Sequence, residues 1–587
     1  MNLSQADLAI AVEPRPPVAS LWPPLLALLI LVIAAYSLSV TFAFINYDDP
    51  LYITENPNVS SGLSLTNLKW ALVSSGEANL WGPLTYASHQ LDVSVFGLNP
   101  AGHHAVNVFW HALATAFLFL ASSKLTKSTF WSFFIALIWA IHPEKIQSVA
   151  WLSERKDVLS GAFFFASLYL FTLWKLRQAK SSALYLTSFL LFALALLAKP
   201  SVVPLPLILF LLFYLKPKRP LPSIRQALLP LTPYVGAALL VAAIALHFQS
   251  GGGLAEIGEK MSPFQRGANI VVSYVFYLQR FFWPSPAQLW FTPADVVFPL
   301  IRSLIFLVVV TPLVIWLGTK EKLITIGLAI YSILWLPISG LVPISEFFVA
   351  DRYSYLPQVG LICVLVGLVK LLTRSFQSPV IATLTLGTLS AVLLFIQQFQ
   401  LPVWKNSETL FAHEMSVNPH SLLAPIHYAE VFKESDPEKA LVYYTRAHHI
   451  DPQAGIALGK MGVVQRELGR PQEALESFRK ATLVNTIHTH NWTQLLDLQV
   501  VLGLYEQAED TITRGIIHDP TSWGFIMNSG NYYLLVQKRA DKALQYFIRA
   551  HELAPEDLRS IQSCMNCYQI LGNEQSAAHF EQLLKAL

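Results

Sequence analysis

Two hydrophobic patterns divide this 587-residue chain near residue 400. Before that point, long apolar runs are separated by short polar breaks. After it, the runs give way to helix-period alternation of a soluble kind. A bilayer-spanning helix needs roughly 20 mainly apolar residues. By that criterion the runs near 21–45, 104–123, 128–141, 158–175, 182–198, 201–215, 229–248, 297–318, 323–342, 354–373 and 379–400 read as about eleven membrane spans, with 128–141 and 201–215 notably short. The run 268–284 is rich in aromatics suited to the headgroup zone and reads as a re-entrant or interfacial helix.

The second pattern repeats. Ala440, Ala474, Ala508 and Ala543 recur at spacings of 34, 34 and 35 residues, and seven residues after each come Ala447, Ala481, Gly515 and Ala550. Pro452, Pro520 and Pro555 close three of the units. Tyr444, Phe478 and Phe547 fill an aromatic position that Ile512 takes in the third unit, and Leu458, Gly462, Trp492 and Gly530 fit first-helix positions. Small residues let two helices pack closely, and proline ends the second one. This is the tetratricopeptide (TPR) period, with repeats near 421–454, 455–488, 489–522 and 523–557, a terminal repeat at 558–587 and a half repeat at 404–419. Stacked units of this kind form a superhelix whose concave face binds extended peptides or partner proteins. The predicted fold class is all-α: a tail at 1–20, a polytopic helical membrane domain at 21–400 and an α-solenoid at 401–587.

Charge placement orients the spans. Only 13% of residues are charged, about half the roughly 25% usual in soluble domains, and the net charge of +3 says little as a total. Lys124 and Lys127, then Lys175, Arg177 and Lys180, then Lys216, Lys218, Arg219 and Arg225, then Lys320 and Lys322, then Lys370 and Arg374 follow alternate spans. All lie on one side if the N-terminus is cytoplasmic. If 268–284 crossed the membrane, the later loops would invert. With that segment at the interface, the repeats are non-cytoplasmic, as are the long loops 46–103, 142–157, 249–296 and 343–353. The stretch 1–20 lacks a basic n-region and a small-residue cleavage site, so 21–45 reads as a retained signal anchor. Three cysteines cannot make a disulfide framework. Cys363 lies in a span, and the lone Cys564/Cys567 pair reads as structural.

The outer loops carry the candidate chemistry. Asp48 and Asp49 are adjacent carboxylates just past the first span. Like charges at a membrane surface raise the pKa of at least one of them, which suits a base or a cation ligand; the plainer reading is an Asx-turn or helix cap. His104, Asn107 and His111 share a helical face and suit interhelical hydrogen bonding, a metal site being the rarer reading; His89 and His103 lack that phasing. The stretch from His142 to Asp157 has Pro143 in a first turn and, if helical, Glu144, Ser148, Trp151 and Arg155 on one face. Arg155 and Lys156 stand outside against the orientation rule, which points to an anionic ligand such as phosphate. The alternative is a local Glu144–Arg155 or Lys156–Asp157 ion pair. Glu346, Asp351 and Arg352 before a late span, and Lys199 between two spans, add further outward charge. Together these groups suit glycosyl transfer from a polyprenyl-phosphate sugar: a carboxylate deprotonates an acceptor hydroxyl and cations stabilise the departing phosphate.

With NYDDPLYITENPNV at 46–59, the His104/Asn107/His111 pattern, HPEKIQSVAWLSERKDVLS at 142–160, Lys199-Pro200, DRYSYLP at 351–357 and the C-terminal repeats, the chain resembles the TMTC family of transmembrane and tetratricopeptide-repeat O-mannosyltransferases and its bacterial relatives, within the GT-C glycosyltransferase class. The resemblance implies a GT-C-like membrane domain and an inverting transfer of a mannose-like hexose from a polyprenyl-phosphate donor to a protein Ser/Thr hydroxyl. The transfer would occur on the periplasmic or luminal face, with the repeats binding the acceptor and no nucleic-acid partner. By motif, Asp48 and Asp49 match the first-loop acidic pair, one of them the base, with Glu144 a further catalytic candidate. Arg155, Lys156, Asp157 and Arg352, with His104 and Lys199, match positions expected near the lipid phosphate. Asp351 stands where relatives often have Glu. Metal use stays open: some GT-C enzymes bind a divalent cation such as Mg or Mn through such acids, here Asp48 or Asp49, and some do not. A bacterial inner membrane is the expected location, or the endoplasmic reticulum in a eukaryote. Two rival readings are a membrane-anchored TPR scaffold for an envelope complex and a lipid or sugar transporter. Spans nearly free of ionisable residues disfavour the transporter.

Overall fold

The computed structural model describes residues 21–74, 76, 81–176, 181–215, 222–250, 262–285, 289, 297–341, 349–374, 379–484 and 489–586. The tail 1–20, the cations Arg177, Lys180, Lys216, Lys218 and Arg219, Glu346 and much of 249–296 lie outside these residues. Every regular element among the described residues is a helix. The chain forms two compact units, residues 1–413 and 414–587. The division comes after His413 rather than at 400 because 401–413 belongs to the first unit. There the Ala43 amide donates to the Lys405 carbonyl at 2.9 Å, the Asn46 amide to Ser407 Oγ at 2.9 Å, and Trp404 is buried beside Trp151.

The first unit is a polytopic helical membrane domain. Among the described residues, six helices are long and apolar enough to cross a bilayer: Trp22–Thr41, Pro100–Thr126, Leu152–Leu176, Ile224–Phe248, Val297–Lys320 and Pro379–Trp404. Shorter apolar helices at Thr129–Ile141, Ser182–Ala198, Pro200–Leu215, Lys322–Ile338 and Gln358–Thr373 match the remaining expected runs. Pro263–Phe282 is in neither set: it is amphipathic, with Arg266, Asn269, Ser273 and Arg280 grouped on one face. Ser262 and Gln265 cap it reciprocally, it buries Ser273, Tyr277 and Phe281, and it exposes Phe264 and Phe282. Association between spans relies on close approach of small residues. A Cβ at Gly327 would stand 2.5 Å from the Gly360 carbonyl oxygen, so only glycine lets Lys322–Trp335 and Gln358–Thr373 touch backbone to backbone.

The second unit is an α-solenoid of helix pairs: Leu423–Phe432 with Pro437–Ile450, Gly455–Glu467 with Pro471–Leu483, Thr489–Val501 with Tyr505–His518, Trp523–Asn531 with Ala540–Leu553, and Leu558–Ile570 with Glu574–Ala586. Ala440, Ala474, Ala508 and Ala543 are all fully buried, as are Tyr444, Phe478, Ile512 and Phe547. A Cβ at Gly462 would meet the Phe478 ring at 2.7 Å. The last spacing of 35 residues has a local cause: the helix Trp523–Asn531 runs into a π-helical turn at Tyr532–Val536, which absorbs one extra residue before Ala543 restores the phase. Cys564 and Cys567 are buried free thiols in the terminal pair.

Candidate active site

The first long loop begins where the helix Trp22–Tyr36 tightens into a 3-10 turn at Ser37–Thr41. Beyond Asp49 the chain winds into a π-helical turn, Pro50–Thr54, with the Tyr52 amide donating to the Asp48 carbonyl. Such turns occur often at functional sites. Here it splits the fates of the two aspartates.

Asp49 is fully buried and its oxygens are committed. Oδ2 accepts from the Ile45 amide at 2.8 Å, and Oδ1 accepts from the Ser153 amide at 3.0 Å and from the Ser153 hydroxyl. It latches the first loop to the second. Burial pushes its pKa up to about 6 against the pull of these bonds. Asp48 is only partly buried and, among the described residues, its carboxylate has no side-chain hydrogen bond. Burial raises its pKa too, opposed by the charges of Lys156 and Arg352.

Those two cations converge on Glu154, which is 1% exposed. Lys156 Nζ and Arg352 Nε each lie 3.1 Å from Glu154 Oε1, while Oε2 has no partner. Lys156 also donates to the Ser153 carbonyl and sits 4.8 Å over the Tyr52 ring; the Arg352 guanidinium lies 5.4 Å over the Trp151 ring. The structure therefore gathers Lys156 and Arg352 around an acid that the sequence did not single out, with Asp48 within reach of their charges.

The expected helical face through 142–157 does not form. The stretch breaks into Pro143–Lys145, Ile146–Ala150 and Leu152–Glu154 before the helix Arg155–Leu176 begins, because Trp151 is extended. Glu144, Ser148 and Arg155 consequently face different partners. Arg155 is not an outward cation: it is 0% exposed and donates to Asn107 Oδ1, Ser88 Oγ, Asp92 Oδ2 and the His103 carbonyl. Neither expected local ion pair is found, since Arg155 pairs with Asp92 and Lys156 with Glu154. Asp157 instead pairs with Lys199 and accepts from Ser148.

Glu144 lies in a second buried cluster. Gln358 donates to its Oε2 at 3.0 Å, and Arg280 grips Asp351 nearby through both oxygens at 2.9 and 2.7 Å. Burial and the Asp351 charge raise the Glu144 pKa, and burial lowers that of Lys145, so the two sit closer to neutrality than isolated groups would. Asn107 and His111 do bond between helices, Asn107 to the Val149 and Trp151 carbonyls and His111 to the Tyr355 hydroxyl and Ala140 carbonyl. His104 packs edge-on against Phe42, outside the cation cluster. Asp92, Ser153, Glu154, Arg280 and Gln358 were not singled out from sequence. Ser153 and Glu154 sat inside a quoted motif, and their roles depend on partners far away in the chain, Asp49 and Arg352.

With this geometry, comparison with known proteins is informative. The chain is similar along most of its length to TMTC protein O-mannosyl-transferases. Human protein O-mannosyl-transferase TMTC1 is 23% identical over 481 residues, covering 72% of this chain and 54% of that protein. Human TMTC3 is 24% identical over 509 residues, covering 77% and 54%. Drosophila melanogaster Tmtc1 is 35% identical over a shorter 120 residues, 19% of this chain and 14% of that protein. The chain thus spans about half the length of the curated relatives it matches along most of its own. No family model matches it. Among solved structures, the TPR protein YrrB covers 30% of this chain and 90% of its own, at 19% identity and a TM-score of 0.25.

Proposed function

We propose that the chain is an inverting membrane glycosyltransferase that moves a mannose-like hexose from a polyprenyl-phosphate donor to a protein Ser/Thr hydroxyl. The observation that carries this reading is the partly buried Asp48 carboxylate, free of side-chain hydrogen bonds and set beside the Lys156–Glu154–Arg352 cluster. Similarity to the O-mannosyl-transferases supplies the sugar and the acceptor class.

In this reading the acceptor hydroxyl oxygen attacks the anomeric carbon from the face opposite the phosphate. The new C–O bond forms as the bond to the phosphate oxygen breaks, and the hydroxyl proton passes to Asp48. Lys156 and Arg352 take up the charge developing on the departing polyprenyl phosphate. A single displacement inverts the anomeric centre. Asp49 positions Asp48 through its latch to Ser153, and Glu154 holds the two cations at one point. Arg155 acts at one remove, fixing the start of the helix that carries Lys156.

We propose a metal-free transfer. All the donors around Asp49 are N–H and O–H groups, and the charges of Lys156 and Arg352 outweigh that of Glu154 at Asp48. Both settings oppose a divalent ion at the pair. The site is proposed to face the periplasm or lumen of a bacterial inner membrane or an endoplasmic reticulum, with the helical repeats presenting the acceptor.

The test is incubation of the purified full chain with radiolabelled polyprenyl-phosphate mannose and glucose and a peptide library, followed by mapping of modified residues. Label on Ser or Thr with inverted anomeric configuration supports the reading. Absence of transfer from every polyprenyl-phosphate hexose, with the protein folded, contradicts it.

A further inference from the structure

A further cluster of side chains able to act as ligands lies outside the residues assigned to the transfer. The helices Pro83–Phe96 and Pro100–Thr126 meet at a tight corner, where Gly97 has φ +61° and Asn99 caps the second helix through the Ala101 amide. His89 and Asp92 lie three positions apart on the first helix, on one face, and the corner brings His103, in the first turn of the second, against them. All three are buried, at 0, 4 and 0% exposure, and their potential ligand atoms lie within 4.8 Å of one another.

The hydrogen-bond pattern leaves several potential ligand atoms without protein partners. Neither ring nitrogen of His89 has a partner. His103 Nε2 is 3.0 Å from the Gly97 carbonyl, an acceptor only, so the ring carries its proton on Nε2. That turns the unpartnered Nδ1 lone pair toward Asp92 Oδ2, 3.6 Å away. Two acceptors facing each other in a buried place repel, and an unpartnered buried imidazole is unfavourable. A ligating histidine whose other N–H donates to a backbone carbonyl is the usual outer-shell arrangement of a metal site.

We propose that His89, Asp92 and His103 bind a zinc-type divalent ion, independently of the sugar-transfer reading. Two imidazoles and a carboxylate suit such an ion, with bonds of about 2.0–2.2 Å reached by small side-chain rotations and a fourth position left for water. Arg155 shares Asp92 and does not block the ion. Its guanidinium donates to Asp92 Oδ2, the oxygen that also faces His103 Nδ1, and keeps Asn107, Ser88 and the His103 carbonyl as further acceptors, so Asp92 would be shared between the ion and Arg155. The ion staples the helix corner whose Asp92 neutralises Arg155.

The test uses the untagged full chain in detergent, stripped of metal and titrated with zinc, read by bound metal after desalting and by melting temperature. One retained equivalent and a zinc-dependent rise in melting temperature are expected. His89→Leu, which replaces an unpartnered imidazole by an apolar side chain, loses both effects and melts no lower than the metal-free wild type. Cobalt(II) added to the wild type gives the visible bands of a four-coordinate ion, a readout that needs no variant. No retained zinc in the wild type, equal retention in His89→Leu, or a six-coordinate cobalt spectrum overturns the proposal.

Discussion

Charged side chains are used in opposite ways in the two units. Around the loops of the membrane unit that hold the candidate site they are buried and interlocked: Arg155 and Asp92 pair with side-chain exposures of 0 and 5%, and Lys156 and Glu154 with 14 and 1%. In the helical repeats they lie on the surface, as in Lys480–Glu476 at 57 and 57% and Lys585–Glu581 at 73 and 52%. Surface pairs of this kind are worth about 0–1 kcal/mol each. Buried pairs carry a large desolvation cost, so removing one partner is severe. The repeats draw their stability from alanine, glycine and aromatic packing, whereas the site loops hold charge in place at a cost that a purely structural domain would not need to bear.

That contrast can be broken at several points. Arg155→Ala leaves the buried Asp92 carboxylate uncompensated and is expected to cost about 3–5 kcal/mol, read as a lowered melting temperature of the detergent-solubilised protein. A loss confined to donor affinity with unchanged stability would instead return Arg155 to the phosphate site. In the repeats, Gly462→Ala drives a methyl into the Phe478 ring. It should cost about 1–3 kcal/mol, measured by chemical denaturation followed by far-ultraviolet circular dichroism.

Asp49 makes a pH-dependent test. Its pKa is about 6 when folded against the ordinary 3.8, so the native state holds the proton more tightly. Its contribution to stability is therefore present below pH 3.8 and is lost as pH rises toward 6, after which it is flat. In Asp49→Asn that component of the slope of melting temperature against pH should vanish; an unchanged slope would mean another group causes it. The smallest effect belongs to the repeat surface: Lys480→Ala is expected to change stability by less than about 0.5 kcal/mol. A large loss there would erase the distinction between the units.

The parts of this molecule that were legible in its sequence are those encoded within a few turns of chain. Ala440, Ala474, Ala508 and Ala543 announce the repeats because a helix pair repeats its small positions locally. The apolar runs announce the spans for the same reason. The site was legible only in its residue types. The positive-inside argument noticed Arg155 but could not see that Asp92, from a separate helix, neutralises it. Asp49 and Ser153 are 104 positions apart, so nothing in the motif 46–59 distinguishes the latched aspartate from its free neighbour. The helical face expected through 142–157 failed at Trp151, whose extended backbone sends Glu144 and Arg155 into different networks.

The central claim is that Asp48, not Asp49 or Glu144, takes the acceptor proton. The most direct measurement is the single-turnover rate of hexose transfer from labelled polyprenyl phosphate by Asp48→Asn, alongside its melting temperature and donor affinity. The account predicts a rate lower by roughly 10²–10⁴-fold, with melting temperature and donor affinity close to wild type. A near-wild-type rate in Asp48→Asn would contradict it.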